Sequence, residues 1–101
     1  MNFCDFIRQC RENLGLAQKD MAEALKVDVP MYSRYERGLR PLKEEHLLTI
    51  ASMLNIDYAV LRKIWIADKV FSVINSEEDA TDILNIVAEN INISKGSENG
   101  N

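Results

Sequence analysis

Two stretches, Leu16-Ala17-Gln18-Lys19-Asp20-Met21-Ala22 and Tyr32-Ser33-Arg34-Tyr35-Glu36-Arg37-Gly38, leave little choice of local fold. They read as two short helices joined by a tight turn, the second stopped by a glycine. Ala22 falls where the two helices would cross, and a small side chain there lets the backbones approach. Met21, Ala22 and Leu25 share one side of the helix over 18–25, and Tyr32 and Tyr35 one side of the helix over 29–37. Lys26-Val27-Asp28 makes the turn, and the Asp28 carboxylate suits the N-cap position. Pro30 fits the first turn that follows, where its missing N–H has no intrahelical acceptor to lose.

The same periodicity runs through the rest of the chain. Phe3, Phe6, Ile7, Cys10 and Leu14 form the apolar face of a helix over 2–13, and Gly15 stops it. Leu47, Ile50, Ala51 and Leu54 face inward from a helix over 43–54. Asn55-Ile56-Asp57 is a turn, with Asp57 capping a long helix over 58–74. Asn75-Ser76 interrupts the pattern. Ser76 followed by Glu77, Glu78 and Asp79 is a helix-start signal, so a sixth helix is predicted over 77–91. Residues 94–101 are polar and contain glycine, which predicts a disordered tail. Nothing reads as a strand or an internal repeat, and the fold class is all-α.

The spaced set Gly15-Leu16, Gln18, Met21-Ala22, Leu25, Val27, Ser33-Arg34, Glu36-Arg37-Gly38 and Ile50-Ala51 resembles the phage repressor and Cro family of helix-turn-helix proteins, also called the xenobiotic-response-element type. The resemblance implies a five-helix repressor-like DNA-binding domain over 1–63; the chain continues past that domain as a C-terminal helical extension over 64–93. It implies a sequence-specific transcriptional regulator whose partner is a double-stranded DNA operator, read by the helix over 29–37 in the major groove. The implied base-contacting positions are Val29, Pro30, Ser33 and Arg34, with Met31 at the margin. Arg34 suits a bidentate contact to guanine, and Val29 suits a thymine methyl. The implied phosphate contacts are Gln18, Arg37, Arg40 and Lys43, with Lys26 able to extend them. Arg11 and Glu36 are the implied structural pair, fixing the recognition helix to the first helix. Two features depart from the pattern. Val29 and Pro30 stand where polar amides are common, and Ala17 stands where a helix cap with a hydroxyl is usual.

The charge balance qualifies this reading. The 101-residue chain has a formal net charge of −4, unusual for a nucleic-acid binder. Residues 1–63 carry 10 Lys/Arg and 9 Asp/Glu, whereas residues 64–101 carry 2 and 7. Within 26–43 there are 5 basic residues against 2 acidic ones. Phosphate neutralisation depends on the local patch more than on the sum, so the patch remains compatible with DNA while the whole argues against non-specific coating.

The extension carries apolar residues on more than one face: Leu61, Ile64, Trp65, Ile66, Val70, Phe71, Val73 and Ile74, then Ile83, Leu84, Ile86, Val87, Ile91 and Ile93. Two helices cannot bury all of this against one small domain. A homodimer is therefore expected, with Trp65 and Phe71 at the interface because aromatics concentrate in interface cores. A dimeric repressor on an operator with two half-sites is the leading reading. A prophage repressor, a restriction–modification controller and an antitoxin all fit it. The alternative is a protein-interaction module, antitoxin-like, that keeps the fold with weak or no DNA binding.

Other chemistry is thin. Cys4 and Cys10 lie six residues apart on one helix, point in different directions, and read as reduced core thiols. His46 stands beside Glu44 and Glu45 and reads as a surface residue. The acids Glu77, Glu78, Asp79 and Asp82 read as a helix start, not a metal site. No catalytic set, glycine-rich phosphate loop, metal site, cofactor or small-molecule effector is expected. No apolar run approaches the ~20 residues of a membrane span, and Met1-Asn2-Phe3-Cys4-Asp5 lacks the basic and apolar regions of a signal peptide. A cytoplasmic location is expected.

Overall fold

A computed structural model of the chain describes residues 2–99, with side chains for 2–96. Six helices follow in order: α1 Phe3–Asn13, α2 Gln18–Leu25, α3 Val29–Glu36, α4 Glu44–Leu54, α5 Tyr58–Ile74 and α6 Ala80–Asn99. The described residues contain no strand, so the all-α expectation holds. The chain divides into two units, Met1–Asp68 and Lys69–Asn101. The first closes at Asp68, where the sequence suggested Lys63.

In the first unit, α2 packs on α3 and α4, and α1 packs on α3 and α4. The core between them is Phe3, Ile7, Met21, Ala22, Tyr32, Tyr35, Leu42, Leu47, Ile50, Ala51, Leu54 and Leu61. Met21, Leu47, Ile50 and Leu61 are completely buried. A fully buried aliphatic side chain of this kind contributes about 1.5–3 kcal/mol. The small side chain of Ala22, also buried, sits on the helix that approaches both α3 and α4. Leu14 departs from expectation. It is half exposed, because it is the C-cap of α1 and has already left the helical face. Leu42, in the α3–α4 connection, takes a core place that periodicity could not reveal.

Four helix ends are built alike. After α1, the Leu16 N–H donates to the Arg11 carbonyl and the Gly15 N–H to the Glu12 carbonyl. The same pair of bonds follows α2 at Lys26 and Val27, α3 at Gly38 and Leu39, and α4 at Asn55 and Ile56. This is the Schellman arrangement, and it needs one left-handed residue each time. Gly15 (φ 71°) and Gly38 (φ 72°) take it without cost, whereas Lys26 (φ 59°) and Asn55 (φ 56°) take it with a Cβ.

The starts differ more. Asn2, Asp28 and Asp57 cap α1, α3 and α5 by accepting from the N–H groups of Asp5, Met31 and Val60. At α2 only half of a reciprocal cap exists. The Asp20 carboxylate accepts from the Ala17 N–H at 2.8 Å, and Ala17 has no side-chain oxygen to answer. Ala17→Ser should complete the box and raise stability by about 1 kcal/mol, read as a higher denaturation midpoint in urea. At α4 the ring nitrogen Nδ1 of His46 accepts from the Lys43 N–H, and its ring lies 5.4 Å from that of Tyr35. His46 is thus a half-buried helix cap and not a plain surface residue.

The second unit holds the end of α5 and α6. Here the sequence reading needs two corrections. The helix starts at Ala80, not Glu77: the Ile83 N–H is the first to close onto a residue four back, the Asp79 carbonyl. Residues 75–79 are spent on turns, so Ser76 caps nothing. The helix also continues to Asn99, into the 94–101 segment expected to be a disordered tail; Gly100 and Asn101 lie outside the described residues. No helix among the described residues is long and apolar enough to cross a membrane.

Candidate nucleic-acid interface

The outward face of α3 is prepared by its inward face. Tyr32, Tyr35 and Glu36 are buried, which at 3.6 residues per turn turns Pro30, Arg34 and Arg37 to the opposite side. All three are exposed, as is Val29, and Ser33 is half-buried at the edge. The predicted base-contacting residues therefore share one solvent-facing surface. Met31 is half-buried against the core and lies off that surface. Arg40 and Lys43 are exposed on the connection that follows, and Lys26 on the turn before.

The charge of this surface is sharper than composition implied. Of the two acids within 26–43, Asp28 is bound to the N-terminus of α3 and Glu36 is inside the protein. No carboxylate of the described residues forms an ion pair with Lys26, Arg34, Arg37, Arg40 or Lys43. Arg37 is held across the end of α3, its Nε donating to the Ser33 carbonyl at 3.3 Å.

Beneath the surface lies the expected Arg11–Glu36 pair. It is a two-pronged contact: Arg11 Nε donates to Glu36 Oε2 at 2.8 Å, and Nη2 to Oε1 at 2.9 Å. The remaining Nη1 donates to the Leu16 carbonyl at 2.8 Å, which ties the end of α1 to the same carboxylate. Gln18 reaches the group from the start of α2, its amide nitrogen 3.4 Å from Glu36 Oε1. The predicted phosphate-contacting glutamine is thus half-buried and leans on the pair.

Burial by itself would raise the Glu36 carboxyl; the Arg11 guanidinium outweighs it, helped by Tyr32 and Gln18, and holds the group below its ordinary value. Tyr32 shifts the other way. Its hydroxyl is desolvated, stands against the Glu36 charge, and is pushed far above a normal phenol. The hydroxyl oxygen is buried without a hydrogen bond of good geometry, so its influence on Glu36 is through proximity. Neither Tyr32 nor the Leu16 carbonyl could be assigned to this cluster from spacing.

Cys4 donates its thiol to the Tyr35 carbonyl at 3.3 Å, near the end of α3. Burial first, then the charges of Asp68, Asp5 and Glu36, push its pKa up, and burial does the same to Cys10. Both are free thiols and poor nucleophiles. Among the described residues no group of three His, Cys, Asp or Glu could hold a metal ion. Trp65, expected at a dimer interface, is half-buried against the core of the first unit, and Phe71 is 59% exposed.

A tight turn between two packed helices, with a basic outward face on the second, is now established, and residues 7–61 match a family model described as helix-turn-helix. The chain belongs to the helix-turn-helix family of the phage repressor and Cro type. The match takes in α2, α3 and α4 whole, most of α1 and the start of α5. A relative in Bacillus subtilis (strain 168), the uncharacterized HTH-type transcriptional regulator YqaE, is 30% identical over 83 residues. That stretch covers 82% of this chain and 67% of the relative, so the likeness reaches beyond the helix-turn-helix. No solved structure matches the chain.

Proposed function

We propose that this helix-turn-helix protein is a DNA-binding transcriptional regulator, a dimeric repressor that places α3 in the major groove of an operator with two half-sites. One observation carries the reading: the exposed side of α3 and the connection after it present Arg34, Arg37, Arg40 and Lys43 without a paired carboxylate among the described residues. An unneutralised cationic row on a rigid helix suits a phosphate-flanked groove. Arg34 reads a base edge, with Val29, Pro30 and Ser33 lining the contact. Gln18, Arg37, Arg40 and Lys43 hold the backbone. A cytoplasmic place follows from that role.

A second reading has its own observation. Val29 and Pro30 give the first turn of α3 no hydrogen-bonding side chain, and residues 64–101 carry 7 acids against 2 bases. A protein-interaction module fits both facts.

Selection of bound duplexes from random DNA, followed by titration across salt concentrations, separates the two. The regulator reading expects selected duplexes to bind far better than random ones, with half-sites about one helical turn apart. Arg40→Ala should weaken selected and random duplexes alike and reduce the salt slope by about 1. Equal binding of both duplexes at every salt concentration would hand the fold to the interaction-module reading.

A further inference from the structure

The exposed side of α3 changes character along its length. Arg34 and Arg37 make it cationic, and one turn ahead of Arg34 the same side carries Pro30. Val29 stands next to Pro30 and is 40% exposed. The leading turn of α3 therefore shows solvent two hydrocarbon side chains inside a surface that is otherwise basic.

The backbone offers little in their place. Proline has no N–H to give. The Met31 N–H is spent on the Asp28 carboxylate at 2.8 Å, and the Tyr32 N–H on the Asp28 carbonyl at 3.1 Å. Nor does this end suit a phosphate, because the exposed Asp28 carboxylate stands at it and repels one.

In the major groove every base pair presents donors and acceptors, and the C5 methyl of thymine is the one apolar group that projects among them. A hydrocarbon surface set against a bare donor or acceptor strips it of water and returns nothing. Set against a methyl, it gains by burial. Cytosine has only a hydrogen at C5, whereas 5-methylcytosine carries the methyl of thymine in the same place. The two methylated pyrimidines differ at the next ring position, where thymine accepts and cytosine donates. Neither Val29 nor Pro30 has a side-chain group that could tell them apart.

Spacing gives the place. One helical turn rises about 5.4 Å, and base pairs stack about 3.4 Å apart along a strand. The base facing the leading turn is therefore one or two base pairs from the base that faces Arg34.

We propose that Val29 and Pro30 form an apolar reader for the C5 methyl of a pyrimidine, so that one position of each half-site favours thymine or 5-methylcytosine over uracil and unmodified cytosine. This rests on the regulator reading above and gives the first turn of α3 a chemical specificity of its own. Methylation of cytosine at that position would then raise affinity.

Fluorescence anisotropy of the full chain on a selected operator tests this. The position that Arg34→Ala relaxes marks the base read by Arg34. Each thymine within two base pairs of it is replaced in turn by deoxyuridine. At one of them uracil should weaken binding roughly three- to tenfold, the worth of a buried methyl. With a cytosine–guanine pair at that position, methylation of the cytosine should strengthen binding by a similar factor. None of these changes alters charge, so the salt slope should stay the same. Val29→Ser puts a hydroxyl in the apolar contact. It should bring both methyl effects below about twofold, with the thermal transition kept because the side chain is exposed.

A selected half-site with no thymine in that window overturns the methyl reader and leaves the regulator reading standing. So does an operator on which uracil costs nothing, or on which cytosine and 5-methylcytosine bind alike. Methyl effects that persist in Val29→Ser belong to the shape of the duplex and overturn the reader too. Failure to select any duplex overturns both readings.

Discussion

Replacing Glu36 with alanine should cost roughly 3–5 kcal/mol of folding stability, the range for breaking one side of a buried ion pair. The carboxylate is 2% exposed and the Arg11 side chain 11%. Removal would leave the guanidinium enclosed beside the Leu16 carbonyl with its ion-pair partner gone. For a unit of this size that is comparable with the whole stability. Arg11→Ala should be nearly as harmful, because it strands the carboxylate. A double-mutant cycle read by urea denaturation measures the coupling, and additive losses would show that the pair acts only through packing. An exposed pair such as Arg8–Asp5, whose side chains are nearly half exposed, should give about 0–1 kcal/mol in the same cycle.

Acid should act through the same group. The Glu36 carboxyl titrates lower in the folded protein than its unfolded value of 4.5. Its contribution is fully present above about pH 4.5 and is lost as the pH falls through the lower folded value. The slope of stability against pH below that point should flatten in Glu36→Gln, which has no carboxyl to protonate.

The second large effect is expected in recognition. Arg34→Ala should lose about 1–3 kcal/mol of binding to a selected operator and relax preference at one base position. Arg34 is exposed on α3 and no carboxylate of the described residues pairs with it, so the loss should come without a change in thermal stability. Arg34→Lys keeps the charge and removes the fork. It should restore non-specific affinity but not the base preference. A uniform loss across all duplexes would reassign Arg34 to the phosphate backbone.

Most helix bounds were legible because their signals are local. Gly15, Gly38, Asp28 and Asp57 each act within one turn of the backbone, and α2 and α5 have the predicted bounds. Leu42 was invisible because its burial depends on the path of a connection, which periodicity does not describe. Leu14 failed for the opposite reason: it kept the period after the helix had ended. At α6, Ser76 and the acids after it made a good start signal. The chain instead spends residues 75–79 on the connection and begins the helix at Ala80. At the candidate interface, the resemblance supplied the order of α3 positions and the Arg11–Glu36 pair. It could not supply the half-buried state of Gln18 or the part played by Tyr32, which depend on how three helices meet, nor the Nδ1 cap from His46, a local bond to the Lys43 N–H.

The left-handed residues that end α1, α2, α3 and α4 bear on how such a head can adapt. Each helix exit is pinned by two backbone bonds, including the one between α2 and α3, so that turn has no slack to act as a hinge. Arg11 and Glu36 lock α1 to the far end of α3 across the same region. A reading head built this way pays little ordering entropy on docking, and it also cannot bend to suit an imperfect groove. On the regulator reading, the duplex has to do the bending. Operators should then be ranked partly by the stiffness of base steps that no side chain touches.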